Sequence, residues 1–81
     1  MKEINFRIIE LPTHQVLLQK DFDNDDNDES DLMVITFYLD GVKVKHSYGY
    51  ENAETRNRIF DAVKESQVQK LIDEAISMML T

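Results

Sequence analysis

Carboxylates at alternate positions are the residues of this chain whose type and spacing best suit a specific chemistry. Seven of the sixteen acidic residues lie in one segment, Asp21 to Asp31, which contains no basic residue. Asp21, Asp23 and Asp25 repeat at every second position there. Oxygen ligands spaced in this way open the loops that bind Ca²⁺ in EF-hand proteins. The segment is therefore a candidate cation site.

The rest of the calcium-loop pattern is missing. Counted from Asp21, the sixth position is Asp26 where glycine is needed, and the twelfth is Leu32 where a bidentate glutamate is needed. The sequence favours a flexible, self-repelling acidic loop over residues 21–31. Divalent-cation binding, with Ca²⁺ as the ion, is the alternative. Its ligands would be Asp21, Asp23, Asp25, Asp28 and Glu29.

The acidic segment carries the whole net charge. The chain has 16 acidic and 9 basic residues and a net charge of −7, so the remainder, without these seven acids, has 9 of each sign. Proteins that bind phosphate backbones are usually basic, which makes nucleic acid an unexpected partner. A basic protein partner for the segment is a further possibility.

One set of basic residues supports a weaker nucleic-acid alternative. Lys43 and Lys45 are expected on a sheet face beside Tyr38, and Arg56 and Arg58 on a helix. Basic and aromatic side chains together are typical of single-strand binding surfaces. Lysines on strands also protect sheets from aggregation, and that explanation is preferred.

Catalytic and cofactor chemistry find little support. The two histidines, His14 and His46, are expected at a hairpin tip and inside a strand, where they would not share a metal. His46 is expected to be a core or rim histidine with a satisfied hydrogen-bond partner. The chain has no cysteine and only two glycines, so thiolate zinc sites and glycine-rich phosphate loops are excluded. We expect no enzyme and no cofactor.

Length and hydropathy indicate one domain spanning residues 1–81. No apolar run approaches the roughly 18 residues of a membrane span. The first residues alternate polar and apolar types and do not resemble a secretory signal. A cytoplasmic protein without membrane contact is the expectation.

The clearest structural element is a hairpin around Asp40-Gly41. An Asp-Gly pair between alternating apolar runs favours a type I′ turn, because both central residues need positive φ. A two-residue turn fixes the register, so Leu39 should pair with Val42 and Phe37 with Val44.

An earlier hairpin is predicted around Pro12, Thr13 and His14. A three-residue loop there places Ile8 opposite Leu18. In that register Phe6 and Ile8 face the core. The predicted core face of the whole sheet consists of Ile4, Phe6, Ile8, Leu18, Phe22, Met33, Ile35, Phe37, Leu39, Val42, Val44 and Tyr48.

Two apolar stripes in the second half predict helices over 53–64 and 67–80, with Asn52 capping the first. The stripes point in different directions, and Ser66-x-x-Gln69 reads as a capping box between them. One kinked helix is the alternative. The predicted fold is α+β, a four-stranded antiparallel meander followed by two helices on one face (ββββαα).

The uncovered sheet face leads to the main functional expectation. It would carry Ile9, Leu17, Val34 and Tyr38 together with Lys43 and Lys45, which makes it half apolar. Small proteins often bury such a face against a copy of themselves. We therefore expect a non-enzymatic protein-interaction or regulatory module, with a homodimer and an unknown protein partner as equal possibilities.

Overall fold

Four strands form one antiparallel sheet, and two helices follow them in the chain. The computed structural model describes residues 4–25 and 28–79, and the side chains of all of these except 23–30. The strands are β1 (Phe6–Glu10), β2 (Gln15–Asp25), β3 (Asp28–Leu39) and β4 (Val42–Tyr50), adjacent in that order. The helices are α1 (Ala53–Ala62) and α2 (Glu65–Met79). The predicted ββββαα fold is confirmed.

The hairpin between β3 and β4 has the predicted turn and register. Asp40 and Gly41 both have positive φ, 50° and 81°. Leu39 pairs with Val42, and the ladder continues without interruption to Tyr50. Local turn chemistry and the apolar pattern select the same register here, which is why the prediction is correct.

The register between β1 and β2 differs from the prediction by one residue. Ile8 lies opposite Leu17 and not opposite Leu18. The loop has four residues, and the backbone N–H of Leu11 donates to the carbonyl of His14 at 2.8 Å. A slip of one residue exchanges the two faces of a strand. The side of β1 predicted to face the core therefore faces away from it.

An arginine shows why this register is favoured. Arg7 faces the helices, where its Nη1 donates to the carbonyl oxygen of Phe60 at 2.6 Å and its guanidinium lies 5.9 Å from the centre of the Phe60 ring. Ile9, two residues on, is buried on the same side. Apolar residues occur on both faces of β1, Phe6 and Ile8 on one and Ile9 on the other, so alternation alone did not identify the inner face.

The core lies between the sheet and the two helices. We call the sheet side that faces them the inner face, and the opposite side the outer face. The buried core residues are Ile9, Val16, Leu18, Met33, Ile35, Phe37, Leu39, Phe60, Val68 and Ile72. Five of these (Leu18, Met33, Ile35, Phe37, Leu39) were predicted for the core. The predictions for Ile4, Phe6 and Ile8 were wrong, since all three are exposed. Phe22, Val42 and Tyr48 lie on the inner side as predicted, but they too are exposed and do not belong to the core.

The second half of the chain forms two separate helices, as predicted, and not the alternative of one kinked helix. The side chain of Asn52 accepts from the N–H of Thr55 at 2.8 Å, as predicted for the cap of α1. The chain is extended at Val63, and α2 begins at Glu65, earlier than predicted.

The predicted capping box at the start of α2 is displaced. The side-chain oxygen of Gln67 accepts from the N–H of Lys64 at 2.8 Å, which is the bond that Gln69 was expected to make with Ser66. Gln69 instead donates to Asp73 one turn later, at 3.0 Å. Neither of the two helices, over the described residues, is long and apolar enough to cross a membrane.

Candidate functional site

The outer face is an uncovered side of the sheet on which several large apolar side chains are exposed. Its exposed apolar residues include Phe6 (59% exposed), Ile8 (54%) and Tyr38 (59%). They reach this side because of the β1–β2 register, which places Ile8 beside Leu17 and Phe6 beside Gln19. Antiparallel sheets with one solvated face normally carry polar residues on it. Here exposed apolar side chains share the outer face with polar residues such as Lys43 and Lys45.

The predicted interaction residues do not all lie on the outer face. Leu17, Tyr38, Lys43 and Lys45 lie on the outer face as expected, with Tyr38 paired to Lys43. Ile9 does not: it is a core residue on the inner face, because the register is shifted.

Val34 is on the outer face but is only 6% exposed, since its neighbours cover it. Phe6 and Ile8 supply the apolar surface that the prediction assigned to Ile9. Only the ambiguous alternation of β1 pointed to them in the sequence.

A shallow concavity crosses the centre of the outer face. It has a volume of about 320 Å³, and Ile8, Leu17, Thr36, Tyr38 and Lys45 are among its lining residues. Apolar and hydrogen-bonding side chains thus line one depression in a broad face. Such a surface can receive protruding side chains of a partner.

The acidic segment is largely part of the sheet. β2 and β3 continue as a two-stranded ribbon through Asp23–Ser30, Asn24–Glu29 and Asp25–Asp28, where the sequence predicted a loop. The flexibility of this segment remains a prediction.

The cation site also remains a prediction. The side chains of Asp23, Asp25, Asp28 and Glu29 lie outside the described part of the structure. Asp21 is described, and its carboxylate accepts from the N–H of Phe22 at 2.8 Å. Within the described residues, no group of three His, Cys, Asp or Glu side chains is placed to hold a metal ion.

Arg56 anchors the base of this ribbon to α1. Its Nη1 donates to the carbonyl oxygen of Asp21 at 2.8 Å and lies 3.6 Å from Oδ1 of Asp31. Its Nε donates to Oδ1 of Asn57 at 3.0 Å, and the residue is only 8% exposed. Arg56 is therefore a structural residue.

The predicted basic set is not one surface. Lys43 and Lys45 point away from the helices, Arg56 is buried on the helix side, and Arg58 is exposed on α1. Arg56 and Arg58 therefore do not join Lys43 and Lys45 in one basic surface, and the nucleic-acid alternative remains a prediction.

The two histidines lie on different elements, as predicted. His14 is in the β1–β2 loop, where its Nδ1 is 2.7 Å from the hydroxyl of Thr13. His46 pairs with Ile35 on the inner face and stacks between the rings of Phe37 and Tyr48. The expected hydrogen-bond partner is missing: Nε2 of His46 is buried and bonds to none of the described residues.

Tyr50, at the end of β4, is a described residue whose pKa is shifted. Burial raises the pKa of its hydroxyl above the ordinary value of 10.0, and the neighbouring Tyr48 hydroxyl adds to the increase. The hydroxyl therefore stays protonated at neutral pH, as an ordinary tyrosine does. It offers a hydrogen-bond donor and no acid–base chemistry in that range.

Comparison of the chain with protein-family models, curated proteins and solved structures finds no match.

Proposed function

We propose that this chain is a non-enzymatic protein-interaction module that assembles with a second copy of itself through the outer face. The observation that carries this proposal is the exposure of Phe6, Ile8 and Tyr38 on the side of the sheet without helices. Contiguous apolar surface of this kind on a small protein is typical of an interaction site.

The size of the face supports an interface of modest affinity. Four strands about 4.8 Å apart and four rows of outward-facing residues about 6.7 Å apart give roughly 500 Å² for each copy. Two copies would bury on the order of 1,000 Å², which is near the lower limit for a specific interface. A dimer that dissociates in the micromolar range is expected.

The charges of the face support a second copy as the occupant. Glu10 pairs with Gln15, Tyr38 pairs with Lys43, and the β2–β3 register carries Gln15 beside Tyr38. Glu10 and Lys43 are thus exposed at opposite ends of one row across the sheet.

A two-fold axis parallel to the strands, between β2 and β3, lays β1 of one copy over β4 of the other. Glu10 then lies over Lys43 of the second copy, and the same pair forms again on the other side of the axis. The face is self-complementary in this orientation.

Sedimentation equilibrium of the protein and of two matched variants tests the proposal. Ile8→Glu puts a charge on the outer face, and Val42→Glu puts one at a similarly exposed apolar site on the inner face (49% exposed). We expect the parent protein and Val42→Glu to dimerise, and Ile8→Glu to stay monomeric with an unchanged circular dichroism spectrum. A parent protein that is monomeric throughout the micromolar range would show that the face has a different occupant.

A further inference from the structure

A second apolar surface lies at the free edge of β4, separate from the outer face. β4 is the last strand of the sheet, and over the described residues no strand pairs with its other side. Between β4 and α2 is a groove with a volume of about 350 Å³. Its lining residues are Val42, Val44, His46, Leu71, Glu74, Ala75, Met78 and Met79. We call it the β4–α2 groove.

We propose that the edge of β4 and the β4–α2 groove together bind an extended peptide segment of another protein as a fifth strand. The segment has apolar residues at alternate positions and acidic residues between them. An exposed strand edge offers unpaired N–H and C=O groups, and a groove beside it selects alternate side chains.

The pleat of β4 determines this pattern. Residues paired across neighbouring strands point to the same side of a sheet. Peptide residues opposite Val42 and Val44 therefore point into the groove, where the walls are almost wholly apolar. Residues opposite Lys43 and Lys45 point to the outer side, where an acidic side chain meets a lysine.

A charged residue of α2 further restricts which peptide side chains the groove accepts. Glu74 lies on the helix side of the groove and repels acidic residues placed there, which enforces the alternation.

A second copy of the chain is a poor occupant of this edge. Antiparallel pairing of two β4 strands around Val44 would set Lys43 of each copy opposite Lys45 of the other. Like charges directly opposite one another destabilise a strand pair. The lysines therefore discourage self-pairing and favour an acidic strand.

The acidic segment does not cancel this preference. Lys45 pairs with Thr36, five residues along β3 from Asp31. That separation is about 17 Å, twice the Debye length of about 8 Å at physiological ionic strength. An acidic peptide at Lys43 and Lys45 is thus largely screened from the acidic ribbon.

NMR titration with two synthetic peptides tests the inference. One alternates valine with aspartate, and the control has lysine in place of each aspartate. We expect the aspartate peptide to shift the amides of Val42–His46 and Leu71–Met78, and to bind about tenfold more tightly than the lysine peptide. Lys45→Glu should reduce or reverse that preference.

The variants of the dimer experiment separate the two proposals. Val42→Glu should lose the peptide and keep the dimer, and Ile8→Glu should lose the dimer and keep the peptide. Equal affinity for both peptides would overturn the proposed partner chemistry. Shifts confined to other surfaces, or no shifts with either peptide, would overturn the site itself.

Discussion

At the scale of single residues, two arginines join the helices to the sheet. Arg7 of β1 donates to the carbonyl of Phe60 in the last turn of α1, a turn that has no basic residue of its own. A cation there satisfies a free carbonyl and interacts favourably with the helix dipole. Lys20 adds a second cation 4.9 Å from the centre of the Phe60 ring.

Arg56 joins α1 to the other end of the sheet, and its contacts should contribute to the stability of the fold. Arg56→Met removes a bond to the carbonyl of Asp21 and a charge near Asp31. A partly buried acceptor left without its partner costs about 1–3 kcal/mol. We expect urea denaturation to show a loss of that size in the free energy of unfolding.

Arg58→Met is the matched control, since Arg58 is exposed on the same helix. Its effect should stay within about 0.5 kcal/mol. Arg56→Lys should recover only part of the lost stability, because an ammonium cannot reproduce the fork of the guanidinium. Equal effects of the Arg56→Met and Arg58→Met substitutions would contradict the structural role of Arg56.

At the scale of elements, the two hairpins show how far the sequence determines the fold. The β3–β4 turn was predictable because Asp40-Gly41 and the flanking apolar residues specify one register. The β1–β2 register was not, because Phe6 and Ile8 on one side compete with Ile9 on the other. The contact that favours one side joins Arg7 to Phe60, residues 53 positions apart in the chain.

The same ambiguity determined how much of the candidate site was predictable. Tyr38, Lys43 and Lys45 were assigned to the outer face correctly because the β3–β4 register was predicted, and Leu17 of β2 was also placed on that face. The exposed side of β1 was missed, and with it the most apolar part of the face. The β4–α2 groove could not be predicted, because it forms only where α2 lies beside β4. No local pattern in either element specifies that packing.

Gly41 lies in the β3–β4 turn, and the stability of the hairpin should depend on its backbone conformation. Its φ is +81°, and a Cβ atom placed there would meet nothing within 4 Å. Gly41→Ala therefore introduces backbone strain without a steric clash, and roughly 1–2 kcal/mol of stability should be lost. Thermal or urea unfolding measures the loss.

Gly41→Asn is the control for that experiment, because asparagine adopts positive φ more readily than alanine. It should retain most of the parent stability. Equal losses for alanine and asparagine would mean that the positive φ at this turn is not the source of the cost.

At the scale of the whole molecule, the chain presents different surfaces on its two sides. The helices cover much of the inner face but leave the β4–α2 groove open, and the outer face has no helix on it. The two proposed contacts share Lys43, which meets Glu10 in the dimer and an acidic residue in the peptide complex, and they are otherwise separate. A dimer formed through the outer face would leave two grooves free, one on each copy, and could bind two segments of the same partner.

The orientation of the dimer is the last prediction. With a two-fold axis parallel to the strands, Glu10→Lys places like charges opposite Lys43 at two symmetric positions. The dimer dissociation constant should rise about tenfold at low salt, and Lys43→Glu should have a similar effect. The double variant exchanges the two charges and should restore the parent affinity. An axis perpendicular to the strands lays β1 over β1, so the two substitutions would then act independently and no restoration would occur. Sedimentation equilibrium at low and high salt measures all four proteins, and added salt should reduce the differences because exposed charges are screened.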